Sequence, residues 1–170
     1  MQFDIPSIAD IGRLRHESID AIRVFYSRAN PAPPDRLQFM TSQELEDQFE
    51  WAKAELDFHL MLGILAALEA HFRRDFKFRC KNRLKDDLSR EFRKLKRKRK
   101  DRVRLDEDIL DAWKNHHPVH NRLVSDIRSA LNLRHWLAHG RHWLPKLGRN
   151  YDFTDVEILT YSVLSNFDFR

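Results

Sequence analysis

Only four glycines and six prolines interrupt 170 residues, and the chain holds a single cysteine, Cys80. So few breakers leave little material for the tight turns of a β-sandwich and favour long helices. One thiol excludes an internal disulfide framework and suits a reducing compartment, so a cytoplasmic location is expected. No run of about 18 apolar residues occurs, and the first residues, Met1 to Pro6, lack the basic region and apolar core of a secretory leader. No membrane partner is expected from such a chain. Strand periodicity, internal repeats, a P-loop and a Gly-rich dinucleotide fingerprint are all missing, which argues against nucleotide-driven chemistry.

What is present is charge on an ordinary apolar background. Hydrophobic residues make up 42% of the chain, charged residues 34%, and the mean hydropathy is -0.65, a balance that fits helices with wide solvated faces. At 20.5 kDa the chain reads most simply as one helical domain over 1–170. The formal charge of +5 conceals a polarity: from Lys77 to Arg104 there are 15 Lys or Arg against 4 Asp or Glu, so the rest of the chain is acidic in sum. An anionic partner for one end of the molecule follows.

The periodicity predicts an all-α, up-and-down bundle of about five to six helices. Ile8, Ile11, Arg15, Ile19 and Ile22 recur at three- and four-residue steps, giving a first helix from about Ser7 to Arg28 that the run from Asn30 to Asp35 ends. A long second helix runs from Ser42, a candidate N-cap, to about Arg79. Its second apolar stripe, Phe58, Leu62, Leu65, Glu69, Phe72 and Phe76, puts a carboxylate in line with apolar neighbours. Such a group either reaches water at the stripe's edge or is answered by a cation, for which Arg134 is a natural candidate.

A basic segment follows, ending in Arg93, Lys94, Leu95, Lys96, Arg97, Lys98, Arg99 and Lys100. Leu84, Leu88, Phe92 and Leu95 keep helical spacing, so a charged helical projection is expected rather than a disordered tail. A charge run is usually a solvated face; here like charges four apart repel, and contacts with RNA phosphates would relieve them without sequence preference. Few aromatics interleave the run, so base stacking is not its expected mode. Asp106 to His117 reads as a shorter helix ended by Pro118, and a further helix spans about 121–139 with Leu123, Val124, Ile127, Ala130 and Leu131 inward. Residues 145–150 read as loop, and Thr154 with Glu157 as a capping box opening the last helix.

The densest chemistry lies between Arg134 and Trp143, where two arginines, three histidines and two tryptophans fall within ten residues. Imidazole accepts and returns protons near neutral pH, and guanidinium holds an anion with a permanent charge. Arg134 and His139 are five positions apart, so an unbroken helix would aim them roughly 140° from each other. A bend or stop at Gly140, or the pairing of two copies across a two-fold axis, would let them serve one ligand. Other accounts fit the same residues. His135, His139 and His142 have spacing suited to zinc, although no His-Glu-x-x-His pattern and no adjacent carboxylate accompany them, and no metal site is assigned. Trp136, Leu137 and Trp143 also fit a core, with Arg and His merely favoured by the dipole at a helix C-terminus.

Arg134-x4-His139 followed by Gly140, in a helical chain with Glu69 on an earlier long helix, resembles the motif of the HEPN superfamily, many of whose all-helical members are ribonucleases. The resemblance implies a homodimeric, metal-independent endoribonuclease that needs no cofactor, with Arg134 and His139 catalytic and a 2′,3′-cyclic phosphate as product. It also implies a toxin or defence role and an antitoxin or defence-system partner. Glu69, His135, Arg141 and His142 are the expected supporting residues. His135 replaces the asparagine that commonly follows the arginine, and Arg141 stands where one toxin branch has a modifiable tyrosine. A non-catalytic module that binds RNA or a protein partner is the alternative.

Overall fold

Three helices of this protein start where a side chain, that of Thr41, Asp86 or Asp152, takes over a backbone N–H that a helix end leaves unpaired. The computed structural model describes residues 7–116, 118–143, 147 and 149–170. Expectations for residues 1–6, His117 and half of the 145–150 loop therefore fall outside it. The described residues form seven α-helices and no strand: α1 (Ile8–Phe25), α2 (Asp35–Gln38), α3 (Ser42–Lys81), α4 (Asp87–Arg99), α5 (Asp111–His116), α6 (Pro118–Ala138) and α7 (Phe153–Asn166). A π-helical stretch, Leu105–Leu110, leads into α5. Among the described residues no helix is long and apolar enough to cross a membrane.

The expected long second helix is third in the chain, because the single turn of α2 precedes it and buries Leu37. Its N-cap is Thr41 rather than Ser42. Thr41 has Glu44 at the position a reciprocal box requires: the Glu44 backbone N–H donates to the Thr41 hydroxyl at 3.2 Å, and the Thr41 N–H donates to the Glu44 carboxylate at 2.6 Å. The same correction applies to α7, capped by Asp152 with Asp155 and not by Thr154 with Glu157, which takes Phe153 into the helix and into the core. Pro118 opens α6 instead of merely closing the helix before it, since a residue without an N–H loses nothing in a first turn.

Forty residues make α3 about 60 Å long. Helices α1, α4, α6 and α7 all pack against it, and its buried positions lie on more than one side, from Leu45 and Phe49 to Met61, Leu65, Leu68, Phe72 and Phe76. Arg15, in line with the apolar stripe of α1, is answered from α3 by Asp57 through two hydrogen bonds of 2.6 and 3.0 Å. On α6, Val124, Ile127, Ala130 and Leu133 reach the core, whereas Leu123 and Leu131 are half-buried at its edge. The basic helix α4 lies on the body of the protein along Leu88 and Phe92, and its charged face and last turn stand in solvent.

Near the C-terminal end of α3 the core is ionic. Asp75 and Arg79 are 1% and 3% exposed, one helical turn apart, and the Arg79 Nε donates to both carboxylate oxygens at 2.8 and 2.9 Å. The remaining guanidinium nitrogens donate to Asp86 at 3.1 Å and to the Asp168 carbonyl, and the Arg170 N–H donates to Asp75 at 2.9 Å. Burial pushes the Asp75 carboxyl above its usual range against the pull of Arg79. Around this pair, Phe72, Trp113, Phe167 and Phe169 meet with ring centroids 5.0 to 5.8 Å apart, so the last residues of the chain are tied to α3 by charge and by aromatic contact.

Removing one partner of a buried pair leaves the other uncompensated. Arg79→Met is expected to cost about 3 to 5 kcal/mol in urea unfolding, and pairing it with Asp75→Leu is expected to recover much of that loss.

Candidate functional site

The site candidate is the C-terminal turn of α6, and its shape is set by Gly140. The His139 N–H still donates to the His135 carbonyl at 3.1 Å, so α6 keeps its register through His139. Gly140 then turns left-handed at φ 78°, and the Arg141 N–H reaches back to the Trp136 carbonyl at 3.2 Å, closing the six-residue ring of a Schellman cap. Arg141 is itself at φ 57°, which carries the chain back toward α3. Gly140 thus stops the helix without bending it before His139.

That regularity separates the two motif side chains within one chain. Arg134 faces α3, where its Nη2 lies 3.7 Å from Glu69. Glu69 also accepts a 2.7 Å hydrogen bond from Arg73, so the carboxylate stands between two guanidiniums. The Arg134 side chain is 37% exposed, and its buried Nε has no hydrogen-bond partner. The expected proximity of Glu69 and Arg134 is therefore present, though as a loose ion pair that leaves donors of Arg134 unspent.

His139 lies on another side of α6, exposed, with its ring 4.2 Å from that of His135. The His142 Nδ1 donates to the His139 carbonyl at 2.9 Å, and the Trp136 indole N–H donates to the Trp143 carbonyl at 2.6 Å. Among the described residues no group of three His, Cys, Asp or Glu is placed to hold a metal ion.

Arg141 does not point to the motif face. Its two terminal nitrogens donate to the two oxygens of Glu55 on α3 at 2.7 and 2.8 Å, and its guanidinium lies 4.9 Å above the ring of Phe58. These hydrogen bonds hold the Glu55 carboxyl below its usual range and make the Arg141 guanidinium still harder to deprotonate. A cavity of about 240 Å³ beside this clamp is lined by Glu55, Phe58, Leu137 and Arg141, and by neither Arg134 nor His139. The sequence reading missed Glu55, since a carboxylate on a solvated helix face signals nothing until the cation opposite it is known.

The expected RNA-binding residues divide on α4. Arg93 donates to the Leu84 carbonyl at 2.5 Å, and Arg99 pairs at 3.3 Å with the buried carboxylate of Asp108, so both have structural duties. Lys94, Lys96, Arg97, Lys98 and Lys100 are exposed, and their side chains make no hydrogen bond or ion pair with described residues. A larger cavity of about 430 Å³ lies by Arg79, Trp113, His116 and His120. Arg79 is committed to Asp75 and Asp86, His116 to Glu91, and both ring nitrogens of His120 to carbonyls, which leaves that cavity little with which to grip a ligand.

Glu55→Gln is expected to loosen the Gly140 turn while leaving the core intact. Amide exchange at Arg141 should then accelerate and that at Val124 and Ile127 should not; equal protection at Arg141 in both proteins would show that Glu55 does not hold the turn.

No family model, no curated protein and no solved structure matches the chain.

Proposed function

We propose that the protein is a metal-independent endoribonuclease of the HEPN type, acting as a homodimer in a toxin or defence setting. One observation supports this above the others: a single helix ends in an exposed imidazole, His139, and carries five residues earlier a guanidinium, Arg134, with a donor not spent inside the protein. On a regular helix the two point roughly 140° apart, and two copies meeting across an axis at the end of α6 would bring both types of group to one phosphodiester.

The chemistry then needs no further component. His139 accepts the proton of the RNA 2′-hydroxyl as that oxygen attacks the adjacent phosphorus. The partner's His139 donates a proton to the departing 5′-oxygen. Arg134 from each protomer stabilises the charge on the non-bridging oxygens. The products are a 2′,3′-cyclic phosphate and a free 5′-hydroxyl, and protons and bonds balance. Glu69 restrains Arg134 without consuming it, and the exposed cations of α4 hold flanking phosphates.

A second reading has its own support. The divergence of Arg134 and His139 within one chain equally suits a non-catalytic module that binds RNA or a protein partner and keeps these residues as contacts.

Purified protein is expected to cleave single-stranded RNA in the presence of EDTA, and His139→Ala to reduce the rate by at least about a hundredfold with self-association unchanged. Cleavage that survives this substitution would point to other catalytic groups, and its absence from the wild-type protein to the binding module. Substituting Lys94, Arg97 and Lys98 by serine, all three exposed and unpaired, is expected to lower the slope of log affinity against log salt by about 2 for single-stranded RNA.

A further inference from the structure

The end of α6 presents aromatic surface of which the proposed cleavage chemistry uses only His139. The ring of Trp143 lies 5.9 Å from that of His135 and 6.5 Å from that of His139, and the two imidazoles are 4.2 Å apart. The planes are tilted by 38 to 56°, so the rings form an angled shelf rather than a closed stack. His142 braces the indole edge-on at 4.4 Å. Trp143 is 37% exposed and both imidazoles are exposed, so the shelf faces solvent.

This surface is held in place. The backbone of Trp143 is fixed by the Trp136 indole N–H, and His142 is tied to the His139 carbonyl, so the shelf is built on the capped end of a helix rather than on independent side chains. The part of the Trp143 ring left in water, held in a fixed orientation, suits a flat π-surfaced ligand whose ordering cost is lowered in advance.

We propose that Trp143 and His135, beside the catalytic His139, form a stacking subsite for one unpaired nucleobase of a single-stranded nucleic acid. The inference rests on the ribonuclease reading of the same turn and deepens it. The basic face of α4 offers backbone contacts but few aromatics, whereas the shelf offers π-faces, so phosphate and base contacts are carried by two separate segments. A base must leave its duplex to present a face, so the shelf selects single strands. Stacking is tolerant of sequence, and the wider face of a purine favours it over a pyrimidine.

The test uses the full chain and two probes that cannot be cleaved: a short 2′-O-methyl oligoadenylate and an abasic strand of equal length and charge. Binding is followed by polarisation of a labelled probe and by quenching of tryptophan emission. The oligoadenylate is expected to bind about five- to a hundredfold tighter than the abasic strand. Trp143→Ala should erase that difference and leave abasic binding unchanged, and Trp143→Phe should retain most of it. The subsite is overturned if the two probes bind wild-type protein equally, or if Trp143→Ala leaves oligoadenylate affinity intact. It is overturned too if Trp143→Ala weakens self-association alone, which would make the shelf a contact with a second copy. A stacking preference in a protein that cleaves no RNA would uphold the subsite while removing the nuclease reading.

Discussion

A helix about 60 Å long has to be covered on several sides by a chain of modest size, and this requirement governs the arrangement of the other elements. No single neighbour spans α3. Helix α1 lies along it, α6 and α7 cover it, and α4 packs on it as well. Near its C-terminal end the cover includes charge, because Asp75 and Arg79 are buried there, with the Arg79 guanidinium 5.3 Å from the centre of the Trp113 ring. An ion pair removed from water is stable only when its remaining donors and acceptors are also used. Asp86, Ser89 and the backbone of Asp168 and Arg170 meet that demand. The pair thereby joins α3, the start of α4 and the end of the chain.

The same spine holds the candidate site. Two acidic side chains of α3 meet two guanidiniums around the end of α6, with different results. Glu55 takes Arg141 in a bidentate grip, and that arginine becomes a clamp on the turn. Glu69 is shared with Arg73, so it meets Arg134 at 3.7 Å and leaves it partly unsatisfied. The contrast follows from where the chain goes. Beyond a left-handed glycine Arg141 is carried back toward α3, whereas Arg134 is still within the regular helix and reaches α3 across its side.

Much of the fold could be read from residue spacing. Apolar residues three and four apart marked α1, α3 and α6, and Leu88 and Phe92 marked α4 as helical, although the charged projection expected there lies against the body of the protein along those two residues. Glu69 drew attention because a carboxylate in an apolar stripe needs a partner. Asp75 and Arg79 offered a similar signal, one turn apart among Phe72 and Phe76, but i and i+4 opposite charges are also the commonest decoration of a solvated helix face. Cap positions shifted by one or two residues at Thr41 and Asp152, since several adjacent polar residues can cap: Ser42 has Leu45 three positions on where Thr41 has Glu44, whereas Thr154 and Asp152 each have a carboxylate there and the helix begins at the earlier of the two.

The sequence by itself determined that the chain is helical, that its positive charge is concentrated in and around α4, and that glycine terminates the helix bearing Arg134 and His139. These depend on local properties: breaker scarcity, periodicity and the φ angles open to glycine. Only the tertiary structure decided that Arg141 is bound to Glu55, that Arg93 and Arg99 have structural partners while their neighbours face solvent, and that His135, His139 and Trp143 share one exposed shelf. Those outcomes depend on which residue distant in sequence lies opposite a given side chain, and on how far the backbone turns before reaching it.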